Sequence, residues 1–122
     1  ISFEYDPDKL SLFQRVKYRA AKLAFGEYPP TGAISYIWAS NAPKNTMVPN
    51  PYTDRVMMIA VESGSAELYT WKEEERNILE DYRRAFGHDP PAVSGVAIMT
   101  DTDNTGDSAV SFYGDIRFLA TP

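Results

Sequence analysis

The chain has 122 residues, 43% hydrophobic and 24% charged, the balance of one soluble globular domain. Seventeen acidic against twelve basic residues leave a formal charge of −5, which repels nucleic acid and anionic surfaces at long range. The absence of cysteine and a single histidine exclude disulfides, thiolate nucleophiles and multi-histidine zinc or copper sites within one chain.

No apolar run approaches the roughly 20 residues of a membrane span. Eight tyrosines, six phenylalanines and two tryptophans suit β-structure and supply surfaces for stacking. Residues 1–5 already alternate as a strand in progress, so we expect a processed or truncated C-terminal part of something longer.

The first strand ends at Asp6-Pro7-Asp8, whose carboxylates are placed to cap a helix over residues 9–25. Leu10, Phe13, Val16, Ala20, Leu23 and Ala24 recur there at three- and four-residue spacing, with Lys9, Arg15, Lys17, Arg19 and Lys22 holding much of the other face. Gly26 stops the helix and Pro29-Pro30 prevents its resuming. Residues 33–39 read as a strand with Ile34, Tyr36 and Trp38 on one face, where core packing is the favoured role for Trp38.

Three prolines and three asparagines make residues 41–53 a long irregular loop. Residues 56–62 are short and apolar, as a central strand buried on both faces would be. Ser63-Gly64-Ser65 turns the chain into a further short strand over 66–69. Thr70-x-x-Glu73 is a capping-box pattern for a second helix through Phe86, striped by Ile78, Leu79, Tyr82, Ala85 and Phe86. Its charges, with Arg76–Glu80 and Glu80–Arg84 four apart, read as a solvated face.

Residues 93–100 and 110–120 read as the last two strands. The two helix exits, Ala24-Phe25-Gly26 and Ala85-Phe86-Gly87, are alike, but proline after a glycine cap is a common stop and the halves do not otherwise align. Helices inserted between strands of mixed order predict an α+β domain, mainly antiparallel β. A β-sandwich with two inserted helices is the first choice.

The loop between the last strands, T-D-T-D-N-T-G-D-S over 100–108, is the leading candidate site. Asp101, Asp103 and Asp107, with Asn104, crowd oxygen ligands into one turn, as calcium requires. The pattern opens like an EF-hand loop but places Phe112 where a bidentate glutamate is needed, so an EF-hand is rejected. Asx-turn chemistry is the plain alternative, since tight turns recruit the same residues. Trp71, at a strand-to-helix junction, is a candidate stacking platform. Tyr52 and Asp54, within N-P-Y-T-D-R, are candidates to line a groove. His88, after a helix C-terminus, lacks an evident catalytic partner. A glycosidase pair could be drawn from Glu62, Asp101, Asp103 or Asp115, decided by a separation that sequence does not give.

M-T-D-T-D-N-T-G over 99–106 and F-Y-G-D-I over 112–116 resemble the C-terminal signature of an uncharacterised family of exported bacterial proteins. N-P-Y-T-D-R over 50–55, V-E-S-G over 61–64 and E-D-Y-R-R-A-F-G over 80–87 carry the same resemblance. It implies a periplasmic or secreted location, a further β-rich half upstream, and a jelly-roll-like (galactose-binding-like) sandwich, incomplete without that half. It implies no reaction. Open sheet edges would then call for a partner chain, the missing N-terminal fragment or a homo-oligomer.

The function expected is a non-catalytic binding domain for a glycan or small polar cell-envelope ligand, possible calcium assistance coming through Asp101, Asp103 and Asp107. The alternatives are a carboxylate- or metal-dependent glycan hydrolase and an assembly protein with no ligand.

Overall fold

The computed structural model describes residues 1–26, 31–102 and 105–120. Five strands form one open sheet in the order β3-β4-β2-β1-β5, with β1 at Ser2–Phe3, β2 at Ala33–Ala39, β3 at Met47–Asn50, β4 at Thr53–Ser63 and β5 at Val93–Gly95. Helices α1, Leu12–Phe25, and α2, Ile78–Phe86, complete the α+β domain.

Only β2 and β4 run parallel; the other neighbours are antiparallel. Parallel neighbours need a crossover. Here the connection is residues 40–46 followed by β3, which runs along the outside and hairpins back into β4. The segment expected to be an irregular loop therefore contains the edge strand β3. Pro49 within it is tolerated because an edge strand need not donate every amide.

Val61 is an extra residue in β4: Ile37 pairs with Ala60, but Trp38 pairs with Glu62. Such a bulge re-aims the side chains that follow it. Glu62 consequently shares a face with Trp38, although simple alternation from Ile59 would send it to the other side.

The core is Phe3, Ile34 and Ile59 under Tyr82 of α2, with Ile78 and Phe86 packed around them. The Tyr82 ring meets Phe3 edge-on and tilts against Phe86, centroids 4.6 Å apart in both cases. Each isoleucine removed from water stabilises the fold by about 1.5–3 kcal/mol.

Several boundaries differ from the sequence reading. A single 3-10 turn, Pro7–Lys9, is capped by Asp6, and α1 begins only after Ser11, whose hydroxyl accepts from Gln14 N. Ser11-x-x-Gln14 is itself a capping box, so a second, stronger start signal lay five residues further on. Buried Leu10 therefore sits outside the helix.

Residues 66–69 form a turn, not a strand. The second helix starts at Ile78 behind an Asn77 cap, not near Thr70. Residues 72, 74 and 76 instead turn alternate side chains to one side, Lys72 and Glu74 towards Glu62 of β4 and Arg76 to Asp81 of α2. A helix would scatter those three around its axis. Of the two last strands expected, only Val93–Gly95 joins the sheet, beside β1. Residues 110–120 form no strand ladder. Tyr113 holds the two arms together, donating to Met99 O at 2.6 Å.

Candidate functional site

The C-terminal end of β4 and the two segments that cover it form a dense charged cluster. Glu62 is 3% exposed. Lys44 Nζ lies 3.0 Å from its Oε2 and Lys72 Nζ 3.6 Å from its Oε1. The Lys44 approach is an ion pair at an angle too steep for an aligned hydrogen bond. Lys72 also reaches Glu67 at 3.9 Å.

Lys44 is aimed by its neighbour. Asn45 takes a left-handed backbone, φ 68°, its N–H donating to Ala60 O at 2.7 Å, a conformation asparagine adopts more readily than most residues. Its Oδ1 accepts from Arg76 at 2.9 Å. The loop after β2 and the segment before α2 are thus tied to β4 and to each other.

Glu74 completes the cluster, close enough to Glu62 for each carboxyl to shift the other. Burial, then the neighbouring Glu62 carboxylate, raises the Glu74 carboxyl above its ordinary range. Contact with Lys44, helped by Glu74 and Lys72, outweighs burial and lowers Glu62. The two shifts run in opposite directions from the same ordinary value, so Glu62 gives up its proton before Glu74 as pH rises.

Trp38 stands beside Glu62 on β2 and is 42% exposed, its indole N–H donating to Gly64 O at 2.8 Å. The core role favoured for it from the sequence is therefore corrected. The bulge places it at the rim, and its one donor is satisfied by the turn after β4. An open indole face next to lysine donors and carboxylate acceptors can hold a flat, hydroxyl-bearing ring. Glu67 and Tyr69 belong to that same turn, and Tyr69 is fully exposed with φ 66°, an unusual conformation for an aromatic residue.

A second buried carboxylate, Asp81, holds α2 to the sheet. Arg76 donates to both its oxygens, at 2.8 and 2.9 Å, and the Tyr36 hydroxyl donates at 2.7 Å. Burial and that bond to Asp81 push the Tyr36 phenol far above its usual range. Arg84 approaches Asp81 at 3.9 Å. Asp81 and Arg76 are thus an internal clasp, which corrects the solvated-face reading with its pairs through Glu80.

The residues named from the sequence do not converge on this cluster. Tyr52, 93% exposed, and Asp54 sit at the opposite end of β4 from Glu62, where Asp54 approaches Arg55 at 4.0 Å. Trp71 is 73% exposed and lies over Gly114, on the other side of its segment from Lys72. Asp101 and Asp107 flank a turn at Gly106, φ 77°. Asp107 N–H donates to Thr105 Oγ1 at 3.3 Å, and Thr102 Oγ1 donates to Asp107 O at 3.3 Å. Asp103 and Asn104 lie outside the described residues. His88 packs its ring edge against Tyr82 and its Nδ1 meets Asp89 O.

Lys44, Lys72 and Glu74 were missed, because Lys44 sits in a proline-rich loop and the others in a charge run. The available signal was alternation: Lys72, Glu74 and Arg76 recur with period two.

The fold and this site define an α+β domain with a mixed five-stranded sheet and a charged, aromatic-rimmed end. A family model described as a protein of unknown function (DUF3047) matches residues 1–117, and the chain belongs to that family. No curated protein and no solved structure gives a significant match. Among the described residues no helix is long and apolar enough to cross a membrane.

Proposed function

We propose that the chain is a non-catalytic binding domain for a hydroxyl-rich ligand of the glycan or cell-envelope type. One observation carries the reading: half-exposed Trp38 stands beside a buried carboxylate, Glu62, that fixes two lysines at the same rim. The ring supplies an apolar face for a sugar, while Lys44 and Glu67 offer a donor and an acceptor to its hydroxyls. The cluster is pre-ordered by its own ion pairs, so little freedom is lost when a ligand arrives.

The same reading places the protein outside the cytoplasm, in the periplasm or secreted, as its sequence resemblance implies. It takes the sheet as one layer of a jelly-roll-like sandwich. Calcium at Asp101, Asp103 and Asp107 is a separable part of the proposal.

Glycan hydrolysis is the weaker reading on geometry. Retaining glycosidases hold their carboxyl groups about 5–5.5 Å apart and inverting ones further. The other described carboxyls from which a catalytic pair with Glu62 could be drawn, Asp101 and Asp115, lie outside the Trp38–Glu62 cluster that carries the binding reading.

Melting a glycan panel with the chain, with and without calcium, tests both parts. A ligand that binds only the folded state raises the midpoint with its concentration. The expected rise is present in the parent chain and lost in Trp38→Ala. A flat midpoint across the panel would overturn the glycan reading, and a flat response to calcium would remove the metal alone.

A further inference from the structure

Helix α1 is packed with its apolar side outward. Gln14, Tyr18 and Ala21 are its only half-buried positions, and they face the body. Arg55 donates to Gln14 Oε1, Arg15 Nε to Pro7 O at 2.9 Å, and Tyr18 stacks on Tyr5. At 100° per residue that face lies opposite Leu12, Phe13, Val16 and Leu23. Those four are 60–85% exposed.

A second apolar surface is equally bare. Val110, Phe112, Ile116 and Phe118 recur at even spacing along the C-terminal arm and are each more than half exposed. Folded monomers rarely expose contiguous apolar patches beyond about 300–600 Å². The two surfaces match in charge as well. Helix α1 carries Arg15, Lys17, Arg19 and Lys22 with no acid, while the arm and its turn carry Asp101, Asp107 and Asp115 against one base, Arg117, and are acidic on balance.

The sheet edges are not what needs covering. Edge strand β3 has four residues including Pro49, and β5 has three, and short or proline-bearing edges resist pairing.

We propose that a second copy of the chain covers both surfaces, α1 of each protomer seated against the 110–118 arm of the other in a two-fold dimer. Such an isologous interface uses each complementary pair twice, so one contact type buries both bare surfaces on both chains.

The chain has no cysteine, which makes site-specific linking clean. Single variants Val16→Cys and Phe112→Cys, mixed and treated with a short bis-maleimide, are expected to give a linked species of two chains. Either variant alone should give far less. Leu23→Asp, at an exposed position that the fold does not use, should abolish linking and halve the mass in sedimentation equilibrium. Arg19→Glu should weaken association and Asp115→Arg on the partner should restore it. A monomer at all concentrations would overturn the proposal. So would linking confined within single chains of the Val16→Cys/Phe112→Cys double variant, or a monomer that binds anionic vesicles through α1.

Discussion

Trp38 and Glu62 are lateral neighbours on parallel strands only because Val61 is extra in β4. In a ladder without the bulge, Val61 rather than Glu62 would pair beside the indole. The bulge therefore converts a run of apolar strand residues into one with a carboxylate on the covered face, which Lys44 and Lys72 then neutralise. Deleting Val61 should remove the bulge and keep Glu62, now directly after Ala60, beside Trp38, so that both lysine contacts survive. Circular dichroism should still report a sheet and ligand binding should be retained; its loss would mean that the extra residue itself shapes the rim.

Removing the Glu62 charge isolates the cluster's structural role. Glu62→Gln removes the buried counter-charge of Lys44 and Lys72 and leaves them only the more exposed Glu67 and Glu74, so the melting midpoint should fall at neutral pH. The loss should shrink in high salt, because added ions screen the remaining repulsion between the lysines. An unchanged midpoint would mean that the ion pairs do not clasp the two segments.

The Glu62–Glu74 pair makes stability pH-dependent in two directions. Glu74 is raised, so the native state holds its proton more tightly than the unfolded chain. Its stabilising contribution is present below its ordinary value of 4.5 and is lost as pH rises through the raised value. Glu62 is lowered from the same value, and its contribution is present above 4.5 and lost as pH falls through the lowered one. Glu74→Gln should therefore raise the midpoint at pH 7 and flatten its decline above 4.5. A midpoint that falls in this variant at pH 7 would contradict the upward shift of Glu74.

The Asp81 clasp predicts graded losses. Tyr36→Phe deletes one hydrogen bond to a buried carboxylate and should cost about 1 kcal/mol; Asp81→Ala strands Arg76 and should cost about 2–3 kcal/mol. Urea unfolding would measure both. Equal losses would mean that the tyrosine, not the arginine, holds α2.

Tyr69 spends backbone energy to keep its ring in solvent. Left-handed geometry costs a side-chain-bearing residue about 1–2 kcal/mol, and asparagine tolerates it better. Tyr69→Asn should stabilise the chain by about 1 kcal/mol in chemical denaturation. The same variant should weaken ligand binding if the ring belongs to the rim.

Much of the framework was legible in the sequence. The alternation of Ile34, Tyr36 and Trp38 placed β2 correctly, and Gly26 and Gly87 stopped both helices as expected. Local patterns failed where tertiary contacts outweighed propensity. W-K-E-E-E-R-N reads as helix by composition, yet Glu62 and Asp81 draw alternate residues of it into an extended path. The apolar stripe of α1 was legible too, but periodicity reports only that a face is apolar, not which way it turns. The site itself was hidden because a bulge cannot be read from spacing. Glu62 was visible as a carboxylate in an apolar strand, but its partners lie 18 residues before it and 10 and 12 after.

The most direct test of the binding claim uses the two tryptophans. In Trp71→Phe, Trp38 is the sole indole, and its fluorescence reports the rim beside Glu62. Titration with neutral oligosaccharides should give a saturable change in emission that Glu62→Gln weakens or abolishes. Emission that stays constant across the panel, with the fold intact by circular dichroism, would contradict a glycan site at Trp38.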